Sequence, residues 1–138
     1  MENSTLLLYF NNTAFALIGD ASGLQPSATA GSLYVSLHTG DPGEGGSQTT
    51  SESAYTNYAR VAVARSGAGW TVSAANVSNA AAVTFPACGV TGSTITHFGI
   101  GTASAGAGVL LFSGTCSLVV SAGITPSFAI GALDVDAD

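Results

Sequence analysis

Apolar residues recur at helical spacing near the start of the chain and at strand spacing after it. In STLLLYFNNTAFALI, residues 4–18, Leu7, Phe10, Ala14 and Leu17 fall on one face. The spacing predicts a helix over 4–18. Asn3 or Ser4 can cap it, because a short polar side chain accepts the first free backbone N–H. Asn11, Asn12 and Thr13 form the opposite, polar face. Gly19 suits the left-handed stop position, and DASGLQPSATAG (20–31) reads as a loop of small and breaker residues.

From Ser32 the period becomes two. In SLYVSLH, Leu33, Val35 and Leu37 alternate with Tyr34, Ser36 and His38, the pattern of a half-buried strand. TGDPGEGGSQTTSESA (39–54) is long for a connection inside a compact domain, which marks it as functional or mobile. Further strands are expected at Arg60–Arg65, Trp70–Val72, Ala81–Phe85, Thr94–Ile100, Val109–Phe112, Cys116–Ser121 and Ser127–Val135, the last bending at a bulge at Gly131. Short strands separated by Gly, Pro or Ser turns predict a mainly β fold: a jelly-roll-like β-sandwich over 32–135 behind one N-terminal α-helix, in a single domain 1–138. No repeat of 20–50 residues is visible.

Charge changes this picture. The chain is 46% hydrophobic but only 7% charged, with net charge −6, against about 25% charged residues in an average domain. Mean hydropathy is +0.44, yet no run approaches the roughly 18 apolar residues of a spanning helix. Two arginines and no lysine cannot neutralise a phosphate backbone or hold an anionic membrane, so neither nucleic acid nor membrane is an expected partner. Met1-Glu2-Asn3 lacks the basic start of a secretory signal, which implies synthesis in a cytoplasm. There Cys88 and Cys116 default to small buried hydrophobes, although one bridge stays open. Residues 66–133 contain no Lys, Arg, Asp or Glu. So small a domain cannot hide half its chain, and interface cores are similarly poor in charge. The expectation is a protein that works in an assembly; the alternative is a monomer coated in Ser and Thr hydroxyls.

Candidate chemistry is thin. His38 with Asp41 and Glu44 forms either a metal or acid–base cluster or a solvated Asp-Pro-Gly turn. A zinc site needs three or four ligands and only one further histidine exists; a Ca²⁺ site lacks the EF-hand spacing. His97 in THFGIG has no GxSxG elbow to serve, and a thiol–imidazole pair with Cys88 has no local support. GIGTASAGAG does not follow the dinucleotide order, and Asp134, Asp136 and Asp138 alternate on a terminal strand as a solvating tail. Arg60, near Tyr55 and Tyr58, and Arg65 are the only cations. Arg60 either grips a carboxylate in a fixed fork, stacked on a ring, or stands alone at a strand start. No catalytic residue, metal or cofactor is expected.

The stretches LYVSLHTGDPGEGG (33–46), YTNYARVAV (55–63), NAAAVTFPA (79–87), TITHFGIGTASAGAGVLLFSG (94–114) and VSAGITPSFAIGALDV (120–135), with the leading helix, cover nearly the whole chain. In that order they resemble a family of small tailed-bacteriophage virion proteins, labelled tail fibre or minor tail proteins, with similar proteins serving as capsid cement. The chain departs from that pattern in its fewer charges and in the Thr-Asn inserted before Tyr58-Ala59-Arg60. The resemblance implies a non-enzymatic structural component of the virion and carries over no catalytic residue. The expected role is capsid decoration, in contact with the major capsid protein and neighbouring copies as a homo-oligomer, a trimer being one form. Asp41, Pro42, Glu44, Tyr58 and Arg60 are the expected assembly contacts. The alternatives are a tail-fibre or receptor-binding module, with a solvent-facing groove lined by Tyr34, Tyr55, Tyr58 or Trp70, and a small hydrolase using His38 or His97.

Overall fold

A computed structural model describes residues 1–15, 23 and 25–136. It is mainly β, with several antiparallel sheets and one N-terminal helix. The chain divides into two compact units: residues 1–32, 63–82 and 129–138 form the first, residues 33–62 and 83–128 the second.

In the first unit, α1 spans Glu2–Asn11. It starts two residues earlier than expected: Met1 is its N-cap, so Asn3 and Ser4 lie inside the helix. It also stops earlier, because Asn12 turns left-handed at φ 51, a conformation asparagine tolerates. The Asn12 side chain then binds the backbone of Ser27 twice, donating to its carbonyl and accepting from its N–H, each at 2.9 Å. The expected stop at Gly19 and the expected contact of Leu17 lie outside the described residues. The buried face is Leu6 and Phe10 rather than Leu7 and Phe10, and Ala14 is exposed. Phe10 meets Trp70 edge-on at 4.8 Å, a pairing that adds about 1 kcal/mol to the burial itself.

Arg65 closes the helix end. Its guanidinium donates to the carbonyls of Tyr9 (2.7 Å), Leu8 (2.8 Å) and Ala30 (3.1 Å). Tyr9 and Leu8 lie in the last turn of α1, where a cation meets the negative end of the helix dipole, and Ala30 lies in the loop before β1. The sheet of this unit runs β3–β4–β9: β3 (Trp70–Ser73), β4 (Asn76–Asn79) and β9 (Asp134–Asp136), all antiparallel. β4 carries the weak strand sequence NVSN, without apolar alternation to announce it. It is held by pairing on both sides and by Asn79, which is 1% exposed. That side chain donates to Ala81 O and Ala129 O at 2.8 Å and accepts from Leu133 N at 2.9 Å.

In the second unit, β1 (Ser32–His38), β6 (Ser93–Gly101) and β7 (Leu110–Val120) are consecutive in a four-stranded sheet of order β2–β1–β6–β7, with β2 at Val61–Ala64. A two-stranded ribbon pairs β5 (Val83–Thr84) with β8 (Ser127–Phe128). Phe98 of β6 meets Phe128 of β8 at 6.0 Å, and Phe128 meets Phe85 at 6.2 Å, so the ribbon and the sheet share an aromatic core. This two-layer packing agrees with a β-sandwich.

Two strand boundaries differ from the pattern for identifiable reasons. The expected strands Val109–Phe112 and Cys116–Ser121 are one strand, β7. Gly114, which looks like a turn residue, lies under a ring: a Cβ there would stand 2.7 Å from Phe98 Cε1. Conversely, Ser127–Val135 is two strands. Gly131 adopts φ 74 in a turn closed by Ala132 N–H to Ala129 O at 3.0 Å, which replaces the expected bulge. The bulges fall in β7 instead, at register shifts between Ile95 and His97 and between Ile100 and Gly101.

Replacing Asn79 by Ala strands three backbone groups, of which the Leu133 N–H is fully buried. The variant is expected to lose about 3 kcal/mol of unfolding free energy, read by urea denaturation; a loss under 1 kcal/mol would contradict the assigned role.

Candidate functional site

The polar groups of the second unit converge on residues 39–54. This segment is built onto the sheet. Thr39 N–H donates to Ser51 O and Ser53 N–H to Leu37 O, both at 2.8 Å. Asp41 accepts from Gly43 N–H at 2.9 Å, a side-chain-closed turn of the kind Asp-Pro-Gly favours. Gln48 is fully buried. It accepts from Ala103 N–H at 2.9 Å, donates to Tyr34 O at 3.3 Å, and its own N–H donates to Ala107 O at 2.9 Å. The segment therefore joins β1 on one side and the β6–β7 connection on the other.

The glycines of GIG make room for these side chains. A Cβ at Gly101 would lie 2.2 Å from Gln48 Cδ, and one at Gly99 would lie 2.7 Å from both His38 Nε2 and Ser36 Oγ. His38 itself is buried. Its Nδ1 faces Thr50 O at 2.8 Å. A carbonyl only accepts, so Nδ1 carries the proton and Nε2 accepts from the Ser36 hydroxyl at 2.8 Å. Burial lowers the His38 pKa from its ordinary value, against the opposing pull of Thr50 O and the Glu52 carboxylate.

At the far end of the segment lies an ion pair. Arg60 Nε donates to Glu52 Oε1 at 2.7 Å and Arg60 Nη2 to Oε2 at 2.8 Å, a two-pronged fork. The remaining guanidinium donors reach Ala103 O at 2.8 Å and Gly106 O at 2.7 Å. Tyr58 completes it, donating to Glu52 Oε1 at 2.9 Å and accepting from Leu37 N–H at 3.0 Å. Burial and the adjacent carboxylate push the Tyr58 phenol far above its ordinary range. The side chains of Arg60 and Glu52 are 3% and 16% exposed. A pair this deep is worth little against an apolar replacement, but losing one partner leaves a buried charge uncompensated.

Of the five expected contact residues, Tyr58 and Arg60 meet here, around Glu52. A shallow cleft of about 260 Å³ opens over them, lined also by Ala59, Ser104, Ala105 and Gly106. Asp41 and Glu44 are exposed in the turn, and Pro42 is buried beneath it. Glu44 and Gly43 border a second cleft of about 320 Å³, floored by residues 110–113 of β7. The fork to a carboxylate is present at Arg60, with Glu52 as the partner that sequence spacing alone does not single out. The glycan groove fails at two of its four aromatics: Tyr55 and Trp70 are 2% and 1% exposed. Tyr55 donates to Pro86 O at 2.8 Å and packs edge-on against Tyr58 at 5.3 Å.

The other candidates are spent on structure. Both ring nitrogens of His38 are engaged within the fold, and His97 Nδ1 lies 2.9 Å from Thr96 Oγ1. Among the described residues, no three His, Cys, Asp or Glu side chains converge to hold a metal. Cys88 and Cys116 are free thiols; burial pushes Cys116 up to about 11. Asp134 and Asp136 are exposed on the terminal strand β9, as expected, and both accept from the Asn76 amide; Asp138 lies outside the described residues.

A family model described as "Podophage GP4 fiber I protein gp80" matches residues 2–136. No curated protein matches the chain.

Removing one side of the fork, as in Arg60→Ala, is expected to cost about 4 kcal/mol. Arg60→Lys should recover little, because an ammonium cannot serve two carboxylate oxygens and two carbonyls at once; equal urea midpoints for wild type and Arg60→Lys would contradict this. His38 yields a pH dependence. Its folded pKa is depressed, so the folded state disfavours the proton that the unfolded state takes up near pH 6.5. The stabilisation is complete above that value and is lost as pH falls towards the folded pKa, at no more than about 1.4 kcal/mol per pH unit. His38→Gln should flatten this slope between pH 6.5 and 5, and an unchanged slope would place the titration elsewhere.

Proposed function

From membership in the podophage GP4 fiber I protein gp80 family, to which this chain belongs, we infer that it is a non-enzymatic structural subunit of the fibre of a tailed-phage virion. The observation that carries this reading is the extent of the match, residues 2–136, which spans both compact units and not a single motif. The chain's chemistry supports it. His38, Cys88, Arg60 and Arg65 are engaged in hydrogen bonds within the fold, as side chains of a building block are. The two arginines are occupied by Glu52 and by backbone carbonyls, so no cation is left for a phosphate backbone.

Its partners on this reading are other virion proteins and further copies of itself. Asp41 and Glu44, exposed in the turn, are the contacts proposed on this reading. Pro42, Tyr58 and Arg60 act beneath the surface, fixing that turn and the cleft beside it. Capsid decoration, through contact with the major capsid protein, is the second reading. It draws on the same uncharged stretch, residues 66–133, and the fibre is preferred because the family description names one.

Cryo-EM of purified particles of the parent phage, with antibody-gold labelling of this chain, separates the two. The expected label is on fibres at the tail. Label confined to the shell would replace the fibre with the decoration reading, and particles without the chain would overturn a virion role.

A further inference from the structure

β7 is the last strand of its sheet, so its outer edge has no strand beside it. It runs for 11 residues, Leu110–Val120, without a charge or a proline. Edges of folded proteins are ordinarily blunted by charge, by proline or by short length, because a bare row of N–H and C=O groups pairs with another chain. Ser113, Thr115, Ser117 and Val119 are exposed, and among the described residues no backbone hydrogen bond reaches 113–118 from outside the sheet.

The register fixes which groups that edge offers. Leu37 turns both backbone groups away from β6, its N–H to Tyr58 and its C=O to Ser53 N–H. Antiparallel residues alternate in the direction they bond. Ser36 and His38 therefore bond Gly99 and His97, while Phe98 and Ile100 bond β7. Ser113 and Thr115, opposite Gly99 and His97, face outward, and so does Leu118, opposite Ile95. Between Thr115 and Leu118 lies a bulge: Cys116 and Ser117 stand opposite the single residue Thr96. The outward groups thus step by two residues on one side of the bulge and by three across it. A regular strand offers its groups every second residue, so it cannot bond on both sides of the bulge. A partner must carry the same extra residue at the same place.

We propose that β7 pairs with β7 of a second copy, antiparallel, about a two-fold axis between Cys116 and Ser117. The axis makes the bulges coincide. Thr115 meets Leu118 of the second copy, and Leu118 meets its Thr115, so the three-residue step is matched on both strands. The second bulge, at Leu111, lies beyond this span. The contact is isologous and joins two sheets into one. It brings no charges face to face, although each copy carries net charge −6.

This assignment rests on the self-association within the fibre reading and names its face. Sedimentation velocity of the purified chain in reducing buffer, across a concentration series, tests it. Wild type is expected to associate reversibly. Thr115→Pro removes an outward N–H and no bond to β6, and should weaken association about 100-fold, tenfold for the donor lost on each copy. Ser117→Glu and Ser117→Lys keep every backbone donor. Their side chains lie next to each other across the axis, so an equal mixture should associate several-fold more tightly than either alone. The same pair at Ser104, exposed in the 101–109 connection, should show no such gain. Thermal melts show whether Thr115→Pro has kept its fold; if it has not, the Ser117 pair decides. A wild type monomeric at every concentration, a folded Thr115→Pro chain that associates as wild type does, or a Ser117 mixture no tighter than its components would overturn the assignment. None of these results bears on whether the chain is found on fibres.

Discussion

The fork between Arg60 and Glu52 is the contact on which the second unit depends. It joins residue 52, at the end of a long Gly-rich segment, to residue 60, just before β2, and it reaches the 101–109 connection through Ala103 O and Gly106 O. The 52–60 stretch and the 101–109 connection, more than forty residues on, are thereby fixed at one point. Backbone entropy opposes ordering any of them, at about 1–2 kcal/mol per residue. The segment offers few apolar side chains to offset that, so it is held by hydrogen bonds: the fork, Gln48, His38 and the Asp41 turn.

The same economy explains the surface. With only two arginines in the chain, both engaged by partners within the fold, the exterior is acidic where charged and neutral elsewhere. Arg60 closes the loop segment of one unit and Arg65 the helix end of the other. Such a surface repels nucleic acid, and on the proposed reading it leaves Ser, Thr, Val and Gly to meet other proteins. That suits a subunit repeated in a virion, where modest contacts are multiplied by copy number.

How much of this could be read in advance follows the range of the interaction. The bounds of β1 were legible residue for residue because its period-two pattern is local, although Ser36 and His38 on the expected polar face are buried, and β6 was legible to within one residue at each end. Lost were features fixed from afar. α1 ends at Asn12 because Ser27 and Arg65 receive it there, and the apolar run beyond gives no hint of that. β4 is a strand because β3 and β9 flank it. Gly114 falls between two expected strands and reads as a turn residue, and Gly99 and Gly101 carry no role in the pattern, yet they admit Phe98, His38 and Gln48, which only the register discloses. At the candidate site, Arg60 and Tyr58 stood out by rarity and by aromatic neighbours, whereas Glu52 was one acid among several in a loop.

Amide hydrogen exchange tests most directly whether residues 39–54 are an integral part of the sheet. The Gln48 and Ser53 amides donate to Ala107 O and Leu37 O. They should exchange as slowly as those of β1 and β6, and an Arg60→Lys substitution should release them together. Rapid exchange of both amides in the wild-type chain, beside a protected β1 and β6, would contradict the account.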